Sequence, residues 1–324
     1  MFLKKDEIIN KINQFSGART SFLFVIDFSG EKGIVLTAEE ANDKGIKYDI
    51  DGFKNDTETI AKMPGHFSYS PVSFKTYKKA FEKVVFHLKR GDTYLLNLTF
   101  PTPLNTDLSL EELFAISRAR YKLCIPGHFV VFSPELFVRL RGSGIHTCPM
   151  KGTIDADIPD AAEHLLADTK ELFEHNTIVD LLRNDLSMVS TCVKVRRSRF
   201  IDRIHTNRGD LLQMSSEICG NLPHAWMKNP GEIIFKLLPA GSVTGAPKKK
   251  TVEIIHETET YDREFYTGIF GFFNGNSLTS AVSIRFIENR DGKLVFKSGG
   301  GITALSKAKS EYEEMLKKVY VPIV

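Results

Sequence analysis

YTGIFGFFNGNSLTSAVSIRFIENRDGKLVF, residues 266–296, holds three short apolar runs, Ile269 to Phe273, Ala281 to Ile287 and Leu294 to Phe296. Such runs predict buried strands, and these lie close enough in sequence to pair as antiparallel neighbours. Working outward, Phe22 to Phe28, Phe129 to Phe132 and Ile178 to Leu182 read as further strands, and another begins at Thr93. A helix precedes Phe22, and a turn at Gly30 to Gly33 follows that strand. Helical stretches begin near Leu108, Asp160, Ala246 and Ser306. From Phe74 to Leu88 the residues Phe74, Tyr77, Phe81, Val84, Val85 and Leu88 recur at helical spacing until Gly91-Asp92 stops the helix. This alternation predicts an α+β fold. Between Lys44 and Ser70 the chain is rich in Asp, Lys, Gly and Ser, which predicts a connecting loop or boundary. A segment 1–73 would then pack on a main domain 74–324.

With 324 residues, 42% of them hydrophobic, the chain can bury a sizeable core. Its 43 basic and 40 acidic residues leave a net charge of +3. That balance offers no reason to expect nucleic acid or an anionic membrane, and it leaves room for a small anionic substrate. Cys124, Cys148, Cys192 and Cys219 form no C-x-x-C pair, which argues against structural zinc or a disulfide framework. The N-terminus turns charged at once, and no run approaches the roughly 18 apolar residues of a membrane span. A soluble, cytoplasmic protein with reduced thiols is expected. None of the nine histidines sits in an H-E-x-x-H pair and no G-x-S-x-G elbow occurs, so zinc-hydrolase and serine-hydrolase chemistry lack support. His164, His175 and His256 fall on predicted helices and read as structural or exposed.

Pro239 to Lys248, PAGSVTGAPK, leads into the periodic residues Val252, Ile254 and Ile255. Proline at the first helical position marks a helix N-terminus, whose free N–H groups and positive dipole end can hold a carboxylate or phosphate. A capped structural helix explains the same residues. Gly245 is followed by Ala246 and Pro247, unlike a P-loop, so nucleotide binding is disfavoured. Ser298 to Ile302 reads as a glycine-rich turn after a strand, open to a ligand or simply bulged. On the last helix, about Ser306 to Tyr320, residues Tyr312, Met315, Leu316 and Val319 form a core stripe. Glu311, Glu314 and Lys318 form the neighbouring one, which could ligate magnesium or be a solvated flank. Lys151, between Pro149 and Gly152-Thr153, is a nucleophile only when neutral, a state that burial or a nearby cation favours. A surface-loop lysine is the alternative.

Several of these segments, taken in order, resemble the chorismate-utilising family over roughly Phe74 to Val319. They are Gly91-Asp92-Thr93-Tyr94 with Asn97-Leu98, Ser133-Pro134-Glu135, Pro149 to Thr153, Glu174 before Ile178 to Asp185, and the Gly241 to Lys248 loop. Arg263-x-x-Tyr266-x-Gly268, Ile284-Arg285, Gly299 to Ile302 and Glu311-x-x-Glu314 complete the set. That family includes anthranilate synthase component I, aminodeoxychorismate synthase component I, isochorismate synthase and salicylate synthase. The resemblance implies an anthranilate synthase component I-like sandwich of antiparallel β-sheets with flanking helices, the site lying between the sheets. Lys151 stands where aminodeoxychorismate synthases look like Pro-Ile-Lys-Gly-Thr and most relatives carry alanine. It therefore points to amination of chorismate at C4, on the route to p-aminobenzoate and folate, with ammonia from a separate glutamine amidotransferase subunit. Formation of anthranilate or isochorismate is the nearest alternative, and a non-catalytic chorismate-binding scaffold is another.

The resemblance also implies roles. Lys151 would attack ring C2 while Glu135, as general acid, helps the C4 hydroxyl leave. Magnesium would be held by Glu174 and Glu314, with Glu311 close by, and would bind the ring carboxylate. Arg285 and the backbone of Gly299, Gly300 and Gly301 would take the enolpyruvyl carboxylate. Gly152, Thr153, Thr244, Gly245, Tyr266 and Lys318 would line the site. Gln213 replaces a usual histidine ahead of Ser216, so no proton transfer is assigned there, and Thr279 and Leu305 each replace an aspartate in positions that look supportive. The short N-terminal region gives no ground to expect feedback by tryptophan.

Overall fold

The fold is that of a computed structural model, which describes residues 2–55, 65–206 and 209–322. Two antiparallel sheets, of ten and nine strands among the described residues, face each other. At the centre of the first, Ile269–Phe273 pairs with Ser277–Val282 on one side and Phe22–Ile26 on the other. The second runs from Leu95–Thr106 through Lys293–Ile302, Phe286–Arg290 and Phe129–Ser133 to Tyr121–Ile125 and Lys47–Ile50.

Alternation along each strand explains the layering. Leu23, Val25, Phe270 and Phe272 of the first sheet pack with Tyr121, Leu123, Phe129, Val131 and Phe286 of the second. Their neighbours Phe22, Phe24, Ile26, Ile269 and Phe273 point the other way, onto Ile8 and Ile12 of Lys5–Gly17, Ile178 and Leu182 of Thr169–Ser187, and Ile234 and Leu237 of Pro230–Leu237. Beyond the second sheet, Val130 and Phe132 meet Leu113 and Phe114 of Leu110–Ile116. Tyr77, Phe81 and Val84 of Phe74–Arg90 cover Leu96, Leu98 and Phe100 together with Ile254 and Met315. Strands buried on both faces carry unbroken apolar runs, which is why those runs were readable in the sequence.

Several expectations need correction. Ile178 to Leu182 is helix, inside Thr169–Ser187, not strand. Asp168 caps that helix by accepting from the amides of Lys170 and Glu171, and Ile178, Leu182 and Leu186 bury one face at a spacing of four. A five-residue apolar run alone cannot tell the two states apart. Ser298 to Gly301 is not a turn: it belongs to the strand Lys293–Ile302, where Gly299, Gly300 and Gly301 pair with Thr99, Leu98 and Asn97. Ala281 to Ile287 is two strands in different sheets, because the chain crosses from one sheet to the other at residues 283–285. Pro247 sits at the cap ahead of Lys248–Thr258 rather than in its first turn, and the strand expected at Thr93 starts at Leu95. Within the expected loop from Lys44 to Ser70, Lys47–Ile50, Phe53–Lys54 and Phe67–Tyr69 are strands; its residues 56–64 lie outside the described ones. Among the described residues no helix is long and apolar enough to cross a membrane, and no two cysteines are joined in a disulfide.

One buried ion pair joins the parts that frame the seam between the sheets. Arg263, 2% exposed, donates from Nε to Glu259 at 2.8 Å and from Nη2 to its other oxygen at 2.6 Å. The same guanidinium reaches Val243 O at 3.0 Å and Asn97 O at 2.6 Å, while Glu259 also accepts from the amide and hydroxyl of Thr99. Arg263→Ala strands a buried carboxylate and is expected to cost about 3–5 kcal/mol of unfolding free energy in urea titrations. The double variant Arg263→Met with Glu259→Gln should lose much less; equal losses would mean that the pairing is not what matters.

Candidate active site

At two neighbouring places the chain passes from a strand of one sheet within three residues into a strand of the other. Phe129–Ser133 lies in the second sheet and Leu136–Arg141 in the first, so Pro134-Glu135 is one crossing. Ser277–Val282 and Phe286–Arg290 make the other, with Arg285 at φ 54°. Backbone bonds tie them: Val282 N donates to Glu135 O and Phe132 N to Arg285 O, both at 3.1 Å. Glu135 and Arg285 are thereby set at the seam. Burial pushes the Glu135 carboxyl up from its ordinary value, opposed by a bond to Ser242 and by the cations Lys151, Arg285 and Lys318. Three positive groups around one acid make a pocket suited to an anion. The Arg285 Nε is buried without an acceptor.

Lys151 comes from Met150–Asp155 in the first sheet, not from a surface loop. Gly152, at φ 71°, is the extra residue of a bulge against Gly209–Asn221, since Lys151 pairs with Met214 and Thr153 with Gln213. A side chain there would also meet Leu165 Cδ1 at 2.8 Å and Glu171 Oε2 at 3.1 Å, and the left-handed backbone favours glycine. The Lys151 amine lies 3.7 Å from Glu174 Oε2, and its side chain is 20% exposed. It also reaches the second sheet, because a Cβ on Gly301 would lie 3.3 Å from Lys151 Nζ. Strand pairing with Phe286–Arg290 ends at Lys297, so among the described residues Gly299 to Gly301 have a strand partner on one side only. Away from that partner, Lys151 Nζ faces Gly301, and Lys318 Nζ donates to Gly299 O at 3.0 Å.

Carboxylates and ammonium groups interleave behind this edge. Glu174 and Glu311 are 4% and 2% exposed. Lys170 Nζ stands between them, 2.8 Å from Glu311 Oε1 and 3.7 Å from Glu174 Oε1. Neither oxygen has a donor in hydrogen-bond geometry. Lys318 bonds Glu314 at 2.8 Å and Gly299 O at 3.0 Å, and its charge draws the Glu314 carboxyl down to about 2. Burial, followed by the charge of Glu174, raises Glu171; burial likewise raises Glu174, against Lys151 and Lys170. Magnesium binds through one or two carboxylates and keeps several waters. The buried oxygens of Glu174 and Glu311, with Glu314 and Glu171 beside them, fit such a partly hydrated ion. No three His, Cys, Asp or Glu side chains among the described residues close into a cage.

The loop from Pro239 to Lys248 is held from two sides. Lys248 Nζ pairs with buried Asp185 at 2.7 Å on the helix that carries Glu174, while Arg263 holds Val243 O. Gly245, at φ 129°, pairs with Leu96; a Cβ there would fall 1.9 Å from Leu95 O. Buried Thr244 donates its hydroxyl to Ala240 O at 2.8 Å. Tyr266 is buried beside Phe286 and within the field of Arg285.

Of the residues singled out from the sequence, Lys151, Glu135, Glu174, Glu311, Glu314, Lys318, Arg285 and Gly301 converge. Thr153 is exposed beyond the bulge, and Thr244 and Gly245 serve the loop's own packing. Sequence reasoning missed Lys170, Glu171 and Ser242. The first two stand four and three positions before Glu174, a spacing that signals one helix face once Ile178 to Leu182 is read as helix. His175 is fully buried, its Nε2 2.6 Å from Ser216 Oγ, and burial with the charge of Lys151 lowers it to about 4, so it stays neutral. Gln213 Oε1 is buried without a donor, Thr279 is buried in its strand, and Leu305 is exposed.

Comparison with known proteins gives concordant results. The model of the chorismate binding enzyme family matches residues 30–323. An uncharacterized PabA-like protein of Haemophilus influenzae is 49% identical over 97% of this chain and 96% of its own length. Anthranilate synthase component 1 of Acetivibrio thermocellus is 33% identical over 77% of this chain, and aminodeoxychorismate synthase component 1 of Bacillus subtilis 30% identical over 81%. The matches take in 52% and 58% of those two longer proteins. In fold, the menaquinone-specific isochorismate synthase of Escherichia coli superposes with a TM-score of 0.76 over 98% of this chain and 82% of its own, at 16% identity. Anthranilate synthase component I of Streptococcus pneumoniae superposes at 0.68 over 81% and 60%, at 24% identity. The expected anthranilate synthase component I-like sandwich is thus the observed architecture. Because the family match takes in every residue of the charged cluster at the seam, and near-half identity to a relative runs the length of the chain, this chain belongs to the chorismate binding enzymes.

Proposed function

We propose that the chain converts chorismate and ammonia into 4-amino-4-deoxychorismate. The observation that carries this is the Lys151 amine, lodged between Glu174 and the Gly301 backbone and acting on the Glu135 carboxyl, instead of extending into solvent. In this reading Lys151 Nζ bonds to ring C2, both conjugated ring double bonds shift by one position, and the C4–O bond breaks as Glu135 passes its proton to the hydroxyl, which leaves as water. Ammonia then bonds to C4, both double bonds shift back, and the C2–N bond breaks to free the lysine amine. The surplus ammonia proton returns to the Glu135 carboxylate. Covalent capture divides one difficult substitution into two easier ones.

Arg285 suits the enolpyruvyl carboxylate, because its planar fork can take both oxygens and its Nε has no other acceptor. Lys318 and the backbone of Gly299 to Gly301 support the same end of the substrate. Magnesium, held by Glu174 and Glu314 with Glu311 close by, supplies positive charge to neutralise and fix the ring carboxylate. Ammonia comes from a separate glutamine amidotransferase subunit, in the cytoplasm; the PabA-like and aminodeoxychorismate synthase names among the relatives are consistent with this branch. The anthranilate synthase relative keeps one neighbouring reaction in play, and product identity separates them.

Purified protein given chorismate, magnesium and ammonium should yield 4-amino-4-deoxychorismate by mass spectrometry and chromatography; isochorismate formed without ammonium, or anthranilate, defeats the proposal. Lys151→Ala should abolish or greatly slow that turnover, and chorismate alone should leave added mass on Lys151; unchanged kinetics remove the lysine from the chemistry.

Burial raises Glu135, so it keeps its proton to higher pH than a free glutamate, and the proton is lost as pH rises through the elevated value. Accordingly kcat/KM should fall on its alkaline side. Glu135→Gln should erase that limb and slow turnover by about 10²–10⁴-fold.

A further inference from the structure

Behind the glycine edge, four carboxylates, Glu171, Glu174, Glu311 and Glu314, are interleaved with the side-chain nitrogens of three lysines, Lys151, Lys170 and Lys318. Lys151 and Lys318 also face Glu135 and the glycine strand, whereas Lys170 is directed at the two buried acids. The oxygens it approaches, Glu174 Oε1 and Glu311 Oε1, are the two that lack any donor in hydrogen-bond geometry. They come from different elements, the helix Thr169–Ser187 and the helix Ala308–Lys317, which no backbone bond joins. Without a cation between them, two nearly unexposed acids would repel across that gap.

We propose that the Lys170 ammonium is the resident counter-ion of this gap and is displaced when a divalent cation enters it. The inference rests on the metal site proposed above. An ammonium 2.8 Å from Glu311 Oε1 and 3.7 Å from Glu174 Oε1 fills the space that a magnesium ion joining those two oxygens, with ligands at about 2.0–2.1 Å, would take. The Lys170 side chain is 32% exposed at the first turn of its helix, so its four-carbon stem can swing to solvent without unfolding anything. Lys170 therefore keeps the two helices together before metal arrives and competes with the metal for the same oxygens. An internal competitor lowers apparent affinity in proportion to the fraction of time it occupies the site.

Manganese(II), followed by the loss of its free EPR signal, is the probe. Lys170→Met should bind it about tenfold more tightly than the wild type while melting at a lower temperature when metal-free. Equal or weaker binding by the variant overturns the displacement while leaving the metal site standing. Binding by neither protein overturns both. Should the variant fail to fold, the wild type still decides: adding magnesium should increase acetylation of Lys170 by a small amine-reactive reagent several-fold, with exposed Lys79 as control. Labelling that stays flat or falls is incompatible with release of the lysine.

Discussion

A guanidinium and a carboxylate, both removed from water, determine where everything else in the seam can lie. Burying Arg263 and Glu259 carries a large desolvation cost, and Coulomb attraction repays it only if the remaining donors and acceptors are also used. They are used: the guanidinium reaches Val243 O and Asn97 O, and the carboxylate takes two bonds from Thr99. Each surplus bond holds a different piece of the site. Asn97 and Thr99 set the strand on which Gly299 to Gly301 rest, and Val243 sets the loop that brings Ser242 to Glu135. From the far side of that loop, Lys248 grips Asp185 on the helix of Glu174. Two ion pairs thus align a strand, a loop and a helix that together frame the site.

Electrostatics then divides the acids by task. Burial dominates at Glu135, Glu171 and Glu174 and raises them, so they hold protons more readily than free carboxylic acids. At Glu314 the neighbouring Lys318 outweighs burial and keeps the carboxylate charged down to about pH 2. Pairs of carboxyl groups pushed apart in this way are how one pocket supplies a proton donor and a fixed charge at the same pH. His175, adjacent to Glu174, is kept neutral by burial and adds no positive charge to a place already crowded with lysines.

Much of this was legible in the sequence, for physical reasons that differ by residue. Strands such as Ile269–Phe273, covered on both faces, advertise themselves by length and apolarity, and the glycine stop at Gly91 marks a helix end in the left-handed region. Lys151, Glu135 and Glu174 were found through motif order. What stayed hidden depended on partners far along the chain. The run Ile178 to Leu182 shows its helical state only through the Asp168 cap and the acids that share its face. Lys170 and Glu171 look like ordinary charged helix residues until Glu311 arrives from more than a hundred positions away. The passage of residues 283–285 between sheets is silent in hydropathy because both sheets are buried.

That last passage explains why the chemistry sits where it does. A residue within a sheet has its backbone committed on both sides and its side chain directed into a packed layer. Residues that leave one sheet for the other escape both commitments, and here two such crossings run next to each other, bonded through Val282 N to Glu135 O and Phe132 N to Arg285 O. Glu135 and Arg285 are therefore held by the stiffness of the four flanking strands, 22 residues in all, at the points where the chain leaves one sheet for the other. Arg285 carries local strain in its left-handed backbone, and the ladder on each side of this crossing over-determines it. Lys151 reaches the same point by a third device, a glycine bulge that re-aims one side chain without ending its strand. An acid, a guanidinium and an amine, each delivered by a break in otherwise regular sheet, meet where the two sheets face each other, and that geometry gathers the charged cluster at the seam.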